Sequence, residues 1–393
     1  MDSFSGNLSG NFMIEGILLA NSPINLTGGL TAQEVKLLKN KLQEPVTAQL
    51  EMKIINSSSF ELNKLTLSYL HNQFNLYGKL NSKNQLDFQF NSDYISLEDF
   101  SFLFNLNELR GIGNISGKIQ GTFSQPQIES RLELKSVNWE NLALDDVDGE
   151  ISYQFPLLQF KKIILRNNNI SLTAAGQVDL QKDRQKQFDL KLQLTILNIN
   201  YLTKLFTFEE SLSGWAHGFA NLQGNWPDIS LDSQLNLEEI SIKNYFLGEG
   251  NFHFRLAPTK IPSENTSLSW QKNFSDWITN NYQLTIEELS FKQAEIQINA
   301  QGKADLKQER GQFLAKGWLD LNQNLDLEFQ AIEFDLNSLA QLIEFKEDVK
   351  GNLNIIGTYQ GSLKRPSISI SVQIEDGYFR NFKFEDLQSK INW

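Results

Sequence analysis

The residue types that do covalent chemistry are few in this chain and badly spaced. There is no cysteine, which removes thiolate nucleophiles, thiolate zinc sites and disulfides together. His71, His217 and His253 stand without a second ligand at metal spacing and read as strand or turn residues. Adjacent acids occur at Asp145-Asp146, Glu209-Glu210, Glu238-Glu239 and Glu287-Glu288. Neighbours in an extended chain point to opposite faces, so these are poor acid–base pairs and read as solvated edge and turn residues. The run Gly111-Ile-Gly113-Asn-Ile-Ser-Gly117 has the glycines of a dinucleotide loop at the wrong spacing. A strand pattern follows it, so no helix N-terminus is available for a pyrophosphate. The expectation is no catalytic residue, no metal, no cofactor and no enzyme. A net charge of -12, with no basic run longer than Lys161-Lys162 or Lys364-Arg365, also argues against nucleic acid.

The positioning elements are strands, and they repeat. Gly111 to Trp139 opens with glycines at 111, 113, 117 and 121, reaches Pro126, then alternates through Ile128, Leu132 and Leu134 to Val137 and Trp139. Glycine supplies turns and close backbone approach, proline stops ladder pairing, and a period of two puts the apolar side chains on one face. The block returns at Gly214 to Ile242 and at Gly351 to Phe379, so the chain is a repeat array. Units run over about 6–109, 111–208, 214–346 and 351–393, the last broken off in mid-pattern, as in an interior slice of a longer chain. Each is expected to hold roughly eight strands, a glycine between strands (Gly78, Gly176, Gly302) and a short helical closure such as ISLEDFSFLF or FDLNSLAQLIEF. Thr31-Ala-Gln-Glu34 has the form of a capping box and predicts a helix over 32–44. Two insertions interrupt the third unit, at about 258–281 and 311–317. In the first, Trp270, Phe274, Trp277 and Ile278 fall on one helical stripe and read as a cover helix packed over the sheet.

The fold class is all-β: an elongated repeat array with a few short helices. Forty per cent hydrophobic residues, with 28 Phe and 7 Trp, suffice for a packed body. One face of most strands is Leu, Ile or Phe and the other polar, as in FDLKLQL at 188–194 and LDLEFQA at 325–331. Such a sheet must be covered by helices, by a second sheet, or by curling on itself. With few helices, curling remains, and periodicity alone leaves open a dry core or an apolar gutter.

At the glycine-proline blocks, from Ile115 to Leu134 and from Leu353 to Ile374, and in NWENLALDDVDGEISY (138–153) with its echo YFRNFKFEDLQSKINW (378–393), the sequence resembles the AsmA-like superfamily. It is most similar to the TamB family of translocation and assembly module proteins. The resemblance covers nearly the whole chain through individually degenerate motifs. It implies a U-shaped sheet, the β-taco, with a groove-like apolar interior that carries phospholipid acyl chains between inner and outer membranes, and a role in outer-membrane protein assembly. The implied setting is the cell envelope, in a periplasm or plastid intermembrane space. The implied inner-membrane anchor and the contact with an outer-membrane barrel assembly protein would belong to parts of the chain not present here. Leu132, Leu134, Leu190, Leu192, Ile240, Ile242, Leu325, Leu327 and Phe329 would line such a groove. The rival readings are a chaperone-like scaffold offering strand edges to outer-membrane polypeptides, and a β-helical carbohydrate-active enzyme, against which the lack of clustered acids weighs.

Overall fold

The computed structural model describes residues 5–16, 22–37, 40–42, 44–56, 58–103, 108–139, 142–180, 187–201, 212–225, 228–242, 245–259, 282–298, 304–320, 324–342, 345–362 and 365–393. It divides into two units: residues 1–168 with 173–187, and residues 169–172 with 188–393. The first unit contains β1 (Ser5–Gly16), β2 (Ile24–Leu37), β3 (Asn40–Lys41), β4 (Val46–Asn56), β5 (Ser59–Tyr69), β6 (Asn72–Leu80) and β7 (Gln85–Ser96). After a 3-10 segment, Glu98–Leu103, come β8 (Arg110–Thr122), β9 (Gln125–Trp139), β10 (Leu142–Gln154) and β11 (Leu157–Arg166). The division runs through β12 (Ile170–Asp179). In the second unit follow β13 (Gln187–Asn198), β14 (Leu212–Asn225), β15 (Asp228–Ile242), β16 (Tyr245–Pro258), β17 (Tyr282–Ile298), β18 (Ala304–Asp320) and β19 (Asn324–Asp335). Helix α1 (Leu336–Leu342) precedes β20 (Val349–Ser362), β21 (Arg365–Phe379) and β22 (Phe382–Asn392). No helix among the described residues is long and apolar enough to cross a membrane.

Within each unit the sheet is an antiparallel meander, β1 to β11 in the first and β14 to β22 in the second. The glycine-rich block is one strand (β1, β8, β14, β20), so the repeat is six long strands, not eight. The shortfall arises because several apolar runs counted separately form single strands of 10 to 17 residues. Gly311 to Gly317, read as an insertion, lies inside the continuous strand β18. Gly317 takes the place expected of Gly302, which lies outside the described residues. It opposes Leu327 as Gly78 opposes Phe88, with φ of 139° and 146°. These glycines let a backbone lie where any Cβ would strike the opposing strand.

The helix expected over 32–44 is absent. Sheet pairing overrides the local helical signal, with Thr31 opposite Ser9 and Thr47 in β2. Val35, 3% exposed, accepts a backbone hydrogen bond from Leu42 at 2.8 Å.

One irregularity recurs and sets the apolar face. Glu34, Ser136, Glu239 and Asp376 occupy equivalent places on β2, β9, β15 and β21, with φ of 54°, 51°, 54° and 49°. At each, one extra residue shifts the register against the preceding strand. Such a bulge reverses the in–out parity of the residues beyond it on the same strand. On β15 it lets Leu237 and Ile240, three apart, join one cluster, and on β9 it does the same for Leu134 and Val137. The acid pairs Glu238-Glu239 and Glu287-Glu288 sit at register irregularities, while Asp145 falls between the paired residues Leu144 and Asp146 with the register unchanged. Both members of the two glutamate pairs face solvent, so the expected alternation of those neighbours fails.

Short segments strap the apolar face at the rim where the bulges lie. In the first unit Leu97 packs on Leu134, Leu144 and Val147 of β9 and β10. Three residues on, the Phe100 ring lies 5.8 Å from Tyr69 and 6.2 Å from Phe74, on β5 and β6. Asn72, 1% exposed, fixes this strap: Nδ2 donates to Asp99 Oδ2 at 2.7 Å and Oδ1 accepts from Ser96 N at 2.7 Å. In the second unit α1 touches β16, β19 and β20. Leu336 and Leu339 join Ala331, Phe334 and Leu353, and Leu247 of β16 packs on the same buried trio. Strands β16 and β19 are three places apart, about 14 Å in a flat sheet. Same-face side chains cannot meet across that distance, so this sheet is concave on its apolar side. Arg380 secures the segment after α1 by a bidentate pair with Glu347, at 2.5 and 2.7 Å.

Two testable outcomes arise from these features. Glu239→Val puts a β-branched residue at a φ of 54°, where it is strained by about 1–3 kcal/mol, and is expected to lower the denaturant midpoint. Glu239→Gly keeps the bulge and should leave the denaturant midpoint unchanged or higher; a valine variant as stable as the parent contradicts the bulge assignment. Asn72→Ala strands buried polar groups at about 1–3 kcal/mol. It should speed amide exchange in residues 97–101, and unchanged protection there contradicts the strap assignment.

Candidate functional site

The expected lining residues lie on the apolar face of each unit: Leu132 and Leu134 in the first, and the other seven in the second. Leu132 and Leu134 are on one face of β9, against Gly149 and Val147 of β10. Leu134 is buried and Leu132 half-buried. Leu190 and Leu192 are half-buried on β13, in phase with Leu194, which packs on the Leu197, Ala216, Leu237, Ile240 and Phe291 cluster. Ile240 is 1% exposed, and Ile242 beyond it is half-buried. On β19 Leu325 is buried while Leu327 and Phe329 are half-buried. Three of the nine are thus sealed at the floor, and six keep part of their surface accessible. Trp270, Phe274, Trp277 and Ile278, the expected cover helix, lie outside the described residues. Among the described residues no second layer covers the face beyond the two straps.

Sequence reasoning missed the face's second component, glycine under phenyl rings. The Phe90 ring lies on Gly117, its cross-strand partner, so that a Cβ at Gly117 would strike it. Phe329 lies likewise on Gly357, where a Cβ would sit 2.5 Å from the ring, and Phe291 on Gly250, at 2.8 Å. The rings lie flat against backbone and widen the floor in place of a projecting side chain. Ala216, Gly218 and Ala220 continue this low floor on β14. The signal was present as glycines at every second or fourth position of the blocks, opposite phenylalanines one strand away.

Among the described residues the ion pairs lie on the outer face and the rims. Lys161 Nζ meets Glu129 at 2.8 Å, Arg166 meets Asp148 at 2.7 Å and Lys316 meets Glu328 at 3.0 Å. By its hydrogen bond, then its charge, Lys161 holds the Glu129 carboxyl below its ordinary value, and Arg380 does the same to Glu347. Burial raises Tyr282. Exposed pairs of this kind add little stability, but they keep the outer face wet. The histidines lie apart from one another, each near a single carboxylate: His71 with Asp99 at 3.3 Å, His217 with Glu238 and His253 with Asp232 at 3.4 Å. Among the described residues no group of three or more His, Asp or Glu is placed to hold a metal. What the face can do chemically is hold apolar matter against Leu, Ile and Phe; the polar Ser233 on it is buried, and its hydroxyl donates to Phe219 O.

No curated protein and no solved structure matches the chain. The family model described as TamB, N-terminal domain, matches residues 2–156, which are β1 to β10 and the turn that follows. That match supports a TamB-like envelope protein. The family resembled by the glycine-proline blocks is thus the family whose model matches, and the chain carries a TamB-family segment over residues 2–156.

Proposed function

We propose that the concave apolar face is a groove for phospholipid acyl chains, and that this chain is the lipid-conducting part of an envelope protein working between inner and outer membrane. One observation carries the reading. Leu190, Leu192, Ile242, Leu327 and Phe329 remain half-buried on the concave face of the second unit, and Leu132 on the apolar face of the first. In water that surface is unfavourable by about 25 cal/mol per Å², and an acyl chain laid on it gains about 0.8 kcal/mol per methylene buried. The glycine floor gives the chain room, and the polar outer face keeps the body in solvent. On this reading the protein is not an enzyme. Its other partner is the one the family resemblance implies, an outer-membrane barrel assembly protein whose substrates it helps to deliver.

Leu192→Glu and Leu327→Glu test it. In a groove that admits solvent when empty the carboxylate is hydrated, so both variants should fold with near-parental melting and lose co-purified phospholipid, read by lipid extraction and mass spectrometry. In a dry core the same change buries an unpaired charge at several kcal/mol, comparable with a domain's whole stability. Unfolded variants with a lipid-free parent contradict the groove. A lipid-free parent that captures unfolded outer-membrane polypeptide replaces it with a chaperone-like scaffold.

A further inference from the structure

The two rims of the first unit's sheet differ in chemistry. The strap rim holds Glu98, Asp99, Glu108 and Arg110 on one connection, with Lys135, Asp145, Asp146 and Arg166 near the strand ends beside it. The opposite rim is formed by the β4–β5, β6–β7, β8–β9 and β10–β11 turns. On it, residues 119–128 and 151–160 form two adjacent hairpins, joined side by side through Gln127 and Gln154. Neither contains a charged residue. At the chain's 21% charged those twenty positions would hold about four, and the surfaces of soluble domains are usually richer still.

The tips are apolar and held. Phe123 is 66% and Phe155 58% exposed, and Ile55, at the end of β4 on the same rim, is 43% exposed. Thr122 Oγ1 accepts from Gln125 N at 3.2 Å and lies 3.1 Å from Ser124 Oγ, which fixes the first tip. Pro156 O accepts from Leu180 N at 2.8 Å, which fixes the second. The neighbouring β6–β7 tip supplies Lys83.

We propose that these two uncharged hairpins seat in the interfacial layer of a lipid bilayer, with Phe123 and Phe155 among the upper acyl segments and Lys83 of the neighbouring tip at headgroup height. Aromatic side chains are suited to that boundary. A bilayer fits better than a protein, because two hairpin tips form a line, far from the roughly 800 Å² per partner of a stable protein interface. They also lack the charges by which such interfaces fix their register. The two hairpins continue into the first unit's apolar face, so a lipid could pass between bilayer and face there without its chains crossing a charged collar. For its purpose, though not its geometry, this contact rests on the groove reading.

Flotation of the full 393-residue chain with neutral phosphatidylcholine vesicles tests the proposal, with lipid extraction of the unfloated protein in parallel. Binding should be the same at low and high salt, since no ion pairs carry it. Phe123→Asp with Phe155→Asp should lower it at least about tenfold. Phe123→Trp with Phe155→Trp should retain it, which guards against a folding artefact. No flotation, flotation abolished by salt, or flotation unchanged in the aspartate variant overturns the rim contact. So does a dimer of the parent that the aspartate variant dissolves, which would make a second copy the occupant. A chain that carries lipid but does not float sinks the rim and spares the groove; one that floats but carries no lipid does the reverse.

Discussion

A sheet with one apolar face and no second layer must hide that face in its own curvature, and the rest of this structure depends on that constraint. Hydrophobic burial is non-directional and roughly proportional to area, so nothing in it alone decides how the sheet bends. The backbone decides. Bulges at Glu34, Ser136, Glu239 and Asp376 raise the local twist and flip the strand parity at one rim, keeping apolar residues inside to the strand end. The straps at Leu97–Phe100 and at α1 then hold strands together that are not neighbours in the ladder. Glycines beneath Phe90, Phe291 and Phe329 let the concave side accept large rings without overpacking.

Curvature of this kind leaves small clusters rather than one core. In the second unit the largest joins Leu197, Ile199, Ala216, Leu237, Ile240 and Phe291, and the first unit holds three smaller ones. Between and above them apolar side chains are only partly covered. A closed barrel or sandwich of the same strands would fill that space with its own side chains. Here it stays available, which is the physical basis for assigning it to apolar chains of another molecule. The separation of charge onto the outer face and the rims serves the same end, since an ionised group on the apolar side would favour water over lipid.

Much of this was legible in the sequence. The alternating halves of the glycine-proline blocks marked β9, β15 and β21, whereas their glycine-rich halves, read as turns, are the strands β8, β14 and β20; alternation gave the facing of Leu132 and Leu134 and of Leu325, Leu327 and Phe329, and the absence of long helical periods left curling as the way to bury one face. The errors share one physical cause, that local signals are overridden by pairing. The capping pattern at Thr31 lost to the β1–β2–β4 ladder. The glycines at 311 and 317, read as flanks of a loop, lie within one strand because β17 and β19 pair along it. The bulges were written in the sequence as two polar residues between apolar ones, in Leu237-Glu-Glu-Ile240 and Leu134-Lys-Ser-Val137. They pass for noise in a period-two reading because the extra residue costs one place of register. The straps were visible as short helical patterns, but their targets on distant strands were not, since contacts across a curved face have no sequence period.

The central claim is that acyl chains lie on the concave face and nowhere else on the sheet, and neighbouring positions on one strand offer the most direct measurement. A photoreactive benzoylphenylalanine is placed singly at Leu327 on the concave side and at Glu328, the next residue, on the outer side; after irradiation the protein purified with its lipid is analysed by mass spectrometry. The groove account requires phospholipid adducts at Leu327 and none at Glu328. Adducts at both positions, or only at Glu328, contradict it.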